Sequence, residues 1–413
     1  MTSARLTDEP AQGERATFLV LVILISLNLR PFLTAIGPLS KEIELHLAMS
    51  LDTLAWLTLL PLWLIGIGGL LTPSLRNRYR PHQLLTVALL LLALGNGMRF
   101  DSQYADLLIV SAALCGLGSA LIQGVLPGLI KQMFAHKVPL VMGIFSACMM
   151  GGGALGASLT PQLATWVDWS RALAIWCLPV LLALLWLGWR VRLTASPPPV
   201  AVLGQQRLIT LPRTWLLITC FGIINSGYGI VIAWLAPAYL AQGWSAQQAG
   251  SLVAWLALAQ TLAGLGLPLL SARSLDRRRW MALAIICQAV GFAGLWLAPT
   301  AAPVLWSMFC GAGLGGSFAL VMVIALDHHP DPHRAGTLNA LMQGVGFMLA
   351  ATGPWVAARL YHLSGDFSAA WQWQLGGLLL MSLLVVRLDP RHYPSAMGLP
   401  AVMSAAAQRN TPA

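Results

Sequence analysis

Twelve apolar runs, near residues 16–40, 52–73, 82–100, 105–130, 138–163, 170–190, 213–240, 247–270, 280–298, 302–326, 335–360 and 369–387, decide what this chain can become. Crossing a hydrocarbon core about 30 Å thick takes about 20 apolar residues of helix. In lipid every backbone N–H and C=O must be satisfied within the protein, so runs of this length are helices. The expected class is an all-α membrane protein with twelve transmembrane helices. With 57% hydrophobic and 9% charged residues the chain is excluded from the soluble globular classes. Its net charge of +10 does not point to nucleic acid, because the basic residues sit in short gaps between apolar runs rather than on one polar face. The lipid bilayer is the expected partner. All six cysteines fall within apolar runs without ligand spacing and read as small buried hydrophobes, so no metal or cofactor is expected.

The gaps alternate in charge. With a cytoplasmic N-terminus, the inner gaps collect Arg76, Arg78 and Arg80, Lys131 and Lys137, and Arg273 with Arg277, Arg278 and Arg279, while the outer gaps hold Lys41, Arg99, Arg171 and Arg359. Positive charge stays inside, which places both termini in the cytoplasm. Residues 1–15 form a polar tail, and the first span reads as an uncleaved anchor. A proline-rich and then polar stretch, 191–212, divides the spans into halves at 16–190 and 213–388, with a tail at 389–413. The halves are related in sequence. At a shift of 193, Gly143, Ala147, Met149, Gly151, Gly153, Ala157 and Pro161 meet Gly336, Ala340, Met342, Gly344, Gly346, Ala350 and Pro354. Such glycines let backbones approach closely, so Gly151, Gly153 and Pro161, and Gly344, Gly346 and Pro354, are expected to pack against the opposite half and to serve its rocking.

Arg30 is the charge that stands inside an apolar run. Such a residue is costly and usually faces a bundle interior or cavity. At helical spacing it shares a face with Ser26, Thr34 and Gly37. The alternative is that it snorkels toward the nearer interface. All fourteen acids lie in tails, loops or span ends. A carrier of lipophilic cations is expected to hold a buried carboxylate, so a small anion or a molecule with strong acceptor groups is the better expectation, and a guanidinium fork suits it. Polar stripes occur on other spans, through Gln123 in the fourth, Asn225 and Tyr228 in the seventh, Gln260 in the eighth and Gln343 in the eleventh. Each amide serves equally well as an interhelical hydrogen bond. The cluster Asp327-His328-His329-Pro330-Asp331-Pro332-His333 is the one stretch with a catalytic look, and its two prolines fit a helix stop better than a metal site.

Two six-span halves with Gly- and Pro-rich fifth and eleventh spans resemble the major facilitator superfamily. Within it the chain is similar to the cyanate-permease and 2-nitroimidazole-transporter branch. That likeness rests on Asn28-Leu29-Arg30-Pro31 with Thr34 and Gly37-Pro38; on Leu126-Pro127-Gly128-Leu129-Ile130-Lys131; on Asn225-Ser226 with Tyr228 and Trp234; on Gln248-Ala249-Gly250-Ser251-Leu252; and on Gln343, Gly346 and Gly353-Pro354. The resemblance implies a cavity lined by the first, fourth, seventh and tenth spans in the inner membrane of a bacterium. The expected substrate-binding set is Arg30, Asn28, Thr34, Gln123, Asn225, Tyr228, Trp234, Gln260 and Gln343. The segment Pro73 to Arg80 keeps the superfamily's arginines and lacks its acid, so its usual gating ion pair is not expected. The expected protein is a transporter acting as a monomer on a small molecule. An exporter of neutral compounds and a membrane enzyme using the histidine cluster are the alternatives.

Overall fold

The computed structural model describes residues 12–36, 39–47, 49, 51–101, 104–191, 208–244 and 246–398. The expectations placed on the first eleven residues, on Gly37 and Pro38, and on most of the 191–212 linker lie outside them. Among the described residues all regular structure is helical. The spans are α1 (Gln12–Leu27, resuming as Pro31–Thr34), α2 (Leu51–Arg78), α3 (Pro81–Gly97), α4 (Ala105–Met133), α5 (Val138–Ala164) and α6 (Trp169–Ala174 and Cys177–Arg190). The second half contributes α7 (Pro212–Leu240), α8 (Ala246–Leu270), α9 (Arg278–Leu297), α10 (Pro303–Asp327), α11 (Pro332–Ala350, then Thr352–Ser364) and α12 (Ser368–Val386). Eleven are long and apolar enough to cross a membrane. The twelfth, α2, is a 28-residue helix that is apolar over Leu59–Thr72.

Prolines set both the starts and the breaks. Pro81, Pro212, Pro303 and Pro332 open α3, α7, α10 and α11, where a missing N–H costs nothing. Inside a run the same residue frees the carbonyl four positions earlier. Pro31 does this to Leu27, Pro179 to Ile175 and Pro354 to Ala350, and α1, α6 and α11 each break at that point. Three runs expected to be continuous are therefore interrupted.

The packing repeats with a period of six spans. Within the first half α2 packs on α4, α3 on α4 and α6, and α1 on α5; within the second, α8 packs on α10, α9 on α10 and α12, and α7 on α11. The halves meet through α2 with α11 and α5 with α8, which exchange places under the repeat. The matched glycines divide accordingly. Gly344 lies against Gly66, Gly69 and Leu70, and Gly151 faces Thr261, each in the opposite half. Gly153 packs on Arg30 and Thr34, and Gly346 on Phe221, each within its own half. Pro354 likewise rests on Gly229 of its own half. The expectation that all these residues face the opposite half is corrected for Gly153, Gly346 and Pro354. Their helices dock on two neighbours, and residues two positions apart on a helix point to opposite sides, one toward each neighbour.

Candidate functional site

The site begins at the break in α1. After Leu27 the chain makes tight turns, with Asn28 N–H bonded to the Ile25 carbonyl at 3.0 Å and Leu29 N–H to Ser26 at 3.1 Å, before Pro31 starts a new short helix. The close approach of α5 at Gly152 covers the freed Leu27 carbonyl: a Cβ there would stand 2.2 Å from that oxygen. Arg30 caps the short helix with an off-helical backbone (φ −126°, ψ −26°), so the break itself throws its side chain out of register with Ser26. The single face expected for Ser26, Arg30 and Thr34 is thus interrupted at its centre. Discontinuous helices of this kind hold substrates in transporters because unwound backbone is tolerated only where it lines a cavity or is buried in protein.

Arg30 is 3% exposed, and among the described residues no carboxylate lies within ion-pair distance of it. Its Nε meets no hydrogen-bond partner. Its Cζ stands 5.4 Å from the ring centroid of Tyr228 on α7, in the opposite half. A guanidinium over an aromatic face is attracted by the ring quadrupole, by roughly 0.5–2 kcal/mol. The charge therefore points between the halves rather than snorkelling along one helix.

Other expected site residues divide into occupied and free. The Thr34 hydroxyl donates to the Gly153 carbonyl at 2.8 Å, pinning the short helix to α5. Asn28 Nδ2 returns to the Leu24 carbonyl at 2.7 Å, and Asn225 Nδ2 to Phe221 at 2.9 Å. Trp234 Nε1 donates to the Pro354 carbonyl at 3.3 Å. These donors hold the scaffold. Gln123 behaves differently: it is buried, and among the described residues neither amide atom has a partner. From the opposite half Gln343 Nε2 donates to the Gln123 carbonyl at 3.3 Å, leaving its own Oε1 unpaired. Asn339, one turn from Gln343, has both amide atoms unpaired. Buried amides normally find partners, so this group of open donors and acceptors at the α4–α11 crossing marks a polar wall. Gln260 is buried on α8.

Three further cations are drawn inside. Arg99, expected at the outer surface, is fully buried; its Nη1 donates to the Phe32 carbonyl at 2.9 Å and its Nε to Ser111 Oγ at 3.0 Å. Phe32 is in the short helix after Arg30, so Arg99 satisfies a carbonyl left open where that helix ends and positions that turn. Arg76, expected in a loop, is carried inward by a helix that continues to Arg78, and its Nη2 donates to His333 Nδ1 of the opposite half at 3.4 Å. Lys131 Nζ donates across the same contact to the carbonyls of Leu326 and His329. Spacing offered a signal for Arg76, since Gly66, Gly69 and Thr72 recur on its face.

The histidine cluster closes this basic end. Asp331 caps α11 by accepting the His333 and Arg334 N–H groups, and Asp327 pairs with Arg277 at 2.6 Å. His328 donates from Nδ1 to the Ile324 carbonyl at 2.7 Å and stacks on Tyr393 with ring centroids 3.7 Å apart. Burial pulls the His328 imidazole down from its usual range to about 3. The unfolded chain therefore takes up a proton near pH 6.5 that the folded chain refuses. Its stabilising effect is complete above pH 6.5 and is lost as pH falls from there toward 3, by roughly 1 kcal/mol per pH unit at most. His328→Gln, which keeps a donor and cannot titrate, is expected to flatten the acid fall in Tm of the detergent-purified protein between pH 6.5 and 4.5. An unchanged slope would show that His328 does not carry it.

The sequence profile of the Major Facilitator Superfamily matches residues 18–354 and 214–407. The cyanate transport protein CynX of Escherichia coli (strain K12) is 40% identical over 379 residues, covering 91% of this chain and 98% of that protein. The 2-nitroimidazole transporter of the same organism is 31% identical over 368 residues, covering 88% and 92%. Among solved structures, the proton:xylose symporter XylE bound to 6-bromo-6-deoxy-D-glucose superposes with a TM-score of 0.73 at 15% identity, covering 91% of this chain and 95% of that one. At that identity the likeness is one of fold.

Proposed function

This chain belongs to the major facilitator superfamily, and from that premise we propose that it carries a small anion or compact nitrogen-containing polar molecule, cyanate-like or nitroimidazole-like, across the bacterial inner membrane by alternating access. The observation that carries the reading is Arg30, a buried cation without a carboxylate partner, set at a helix break and facing Tyr228 of the other half. The substrate supplies the counter-charge. Two relatives with nearly full-length coverage support the class, one named for cyanate and the other for 2-nitroimidazole. Both substrates are compact and rich in acceptors, which suits a guanidinium fork and the open amides of Gln123 and Gln343.

The positive-inside rule puts the basic end, and both termini, in the cytoplasm. Contacts between Arg76 and His333 and between Lys131 and the α10–α11 turn then form an inner seal, and the arrangement at Arg30 belongs to a state closed on the cytoplasmic side. The protein works as a monomer within the bilayer. Uptake of labelled cyanate into proteoliposomes, with 2-nitroimidazole and small carboxylates as competitors and with and without a pH gradient, tests the reading. Saturable uptake competed by at least one of these supports it; no saturable flux of any member refutes it.

A further inference from the structure

At the basic end, two cations cross between the halves and are held there by neutral partners. Arg76 is 5% exposed, and its Nε and Nη1 meet no hydrogen-bond partner among the described residues. Its flat guanidinium lies between two glycines: a Cβ at Gly336 of the opposite half would come 2.5 Å from Nη1, and one at Gly128 would come 3.0 Å from Nη1 and Nη2. Lys131 follows Gly128 by one turn on α4, and donates to the Leu326 and His329 carbonyls. The acids nearby are already engaged, Asp331 as the cap of α11 and Asp327 with Arg277. The Asp331 carboxylate acts through space on Arg76, and Asp327 and Asp331 on Lys131, but every direct bond to the two cations comes from a carbonyl or an imidazole. An incoming anion brings full charge in the same partly dry setting, and charge-assisted bonds are about twice as strong as neutral ones.

We propose that Arg76 and Lys131 form a second station for a small monovalent anion, at the basic end of the path that begins at Arg30. The proposal rests on the transport reading above. An anion there trades the bonds to Leu326, His329 and His333 for bonds to itself, so occupancy loosens the seal that surrounds it. Arrival of the cargo then favours opening on that side.

The test uses the full chain in inside-out vesicles, with its six cysteines replaced and Ala340→Cys as reporter. Ala340 is buried on α11 between Gly336 and Gln343. Sodium cyanate is the probe, and labelling by a membrane-impermeant thiosulfonate is followed from the basic face. Cyanate at ten times its dissociation constant from the opened state is expected to raise the labelling rate about tenfold, from the shift in population it drives. Arg30→Ala should respond equally. Lys131→Arg and Arg76→Lys should respond with a changed half-effect concentration. Arg76→Gln and Lys131→Gln each remove part of the seal and should label faster without cyanate, and neither should label faster still when cyanate is added. A full response in either glutamine variant overturns the station, as does a half-effect concentration indifferent to both charge-keeping variants. No response in the unsubstituted chain overturns it too, provided Arg30-dependent cyanate uptake is intact. Loss of that uptake dependence instead refutes the reading of Arg30.

Discussion

Arg30→Ala is expected to lower cyanate kcat/KM by roughly a hundredfold or more while leaving the protein folded and slightly more stable. Each hydrogen bond to a charged group contributes roughly 1.5–3 kcal/mol, and about 1.4 kcal/mol is tenfold, so losing a forked pair removes at least that much. Stability moves the other way because Arg30 is 3% exposed with its Nε unpaired and no described carboxylate beside it. Removing an uncompensated buried charge relieves a desolvation penalty. Arg30→Lys keeps the charge without the planar fork and should recover part of the flux. Tyr228→Phe should keep the ring and most of the activity, whereas Tyr228→Leu loses the cation–π contact across the halves. Parallel uptake and Tm measurements decide the matter. A fall in Tm with uptake preserved would make Arg30 a structural residue.

Gly344→Leu is expected to abolish transport by a different route. A Cβ at Gly344 would sit 2.8 Å from the Gly66 carbonyl and 3.0 Å from the Leu70 nitrogen, both on α2 of the other half. Neither backbone group can give way as a flexible side chain would, so the halves must part. Overpacking costs roughly 1–3 kcal/mol, and because it falls only on the sealed state it shifts the seal equilibrium about 5–150-fold. Spin labels at the exposed Lys137 and Arg273, on opposite halves at the basic end, should report a longer distance in the variant. Gly344→Ala should give the same change in weaker form. An unchanged distance distribution with transport lost would place the defect elsewhere.

These two residues show how legibility varied. Arg30 stands out in the sequence because lipid penalises charge wherever a helix lies, whereas the break at Pro31 does not, since prolines inside α4, α5, α7 and α8 leave those helices continuous. Gly344 was legible as a repeated small residue, but Gly346, two positions on, looked the same and faces Phe221 of its own half. Arg76 and Arg99 carry the sequence signature of loop charges, and Thr34 and Trp234 that of cavity groups. The fold instead spends the Thr34 hydroxyl on Gly153, the Trp234 indole on Pro354, and Arg99 on the carbonyl of Phe32.

The sequence by itself determined the number of spans, the division into related halves, the family, and the costly arginine. Those follow from local chemistry, because a bilayer demands long apolar helices and penalises a charge inside one. Only the tertiary structure decided which side each helix presents. A helix that is apolar all round offers no pattern to distinguish lipid from protein. The bonding of each amide, the burial of Arg76 and Lys131, and the meeting of Arg30 with Tyr228 depend on which helix docks opposite.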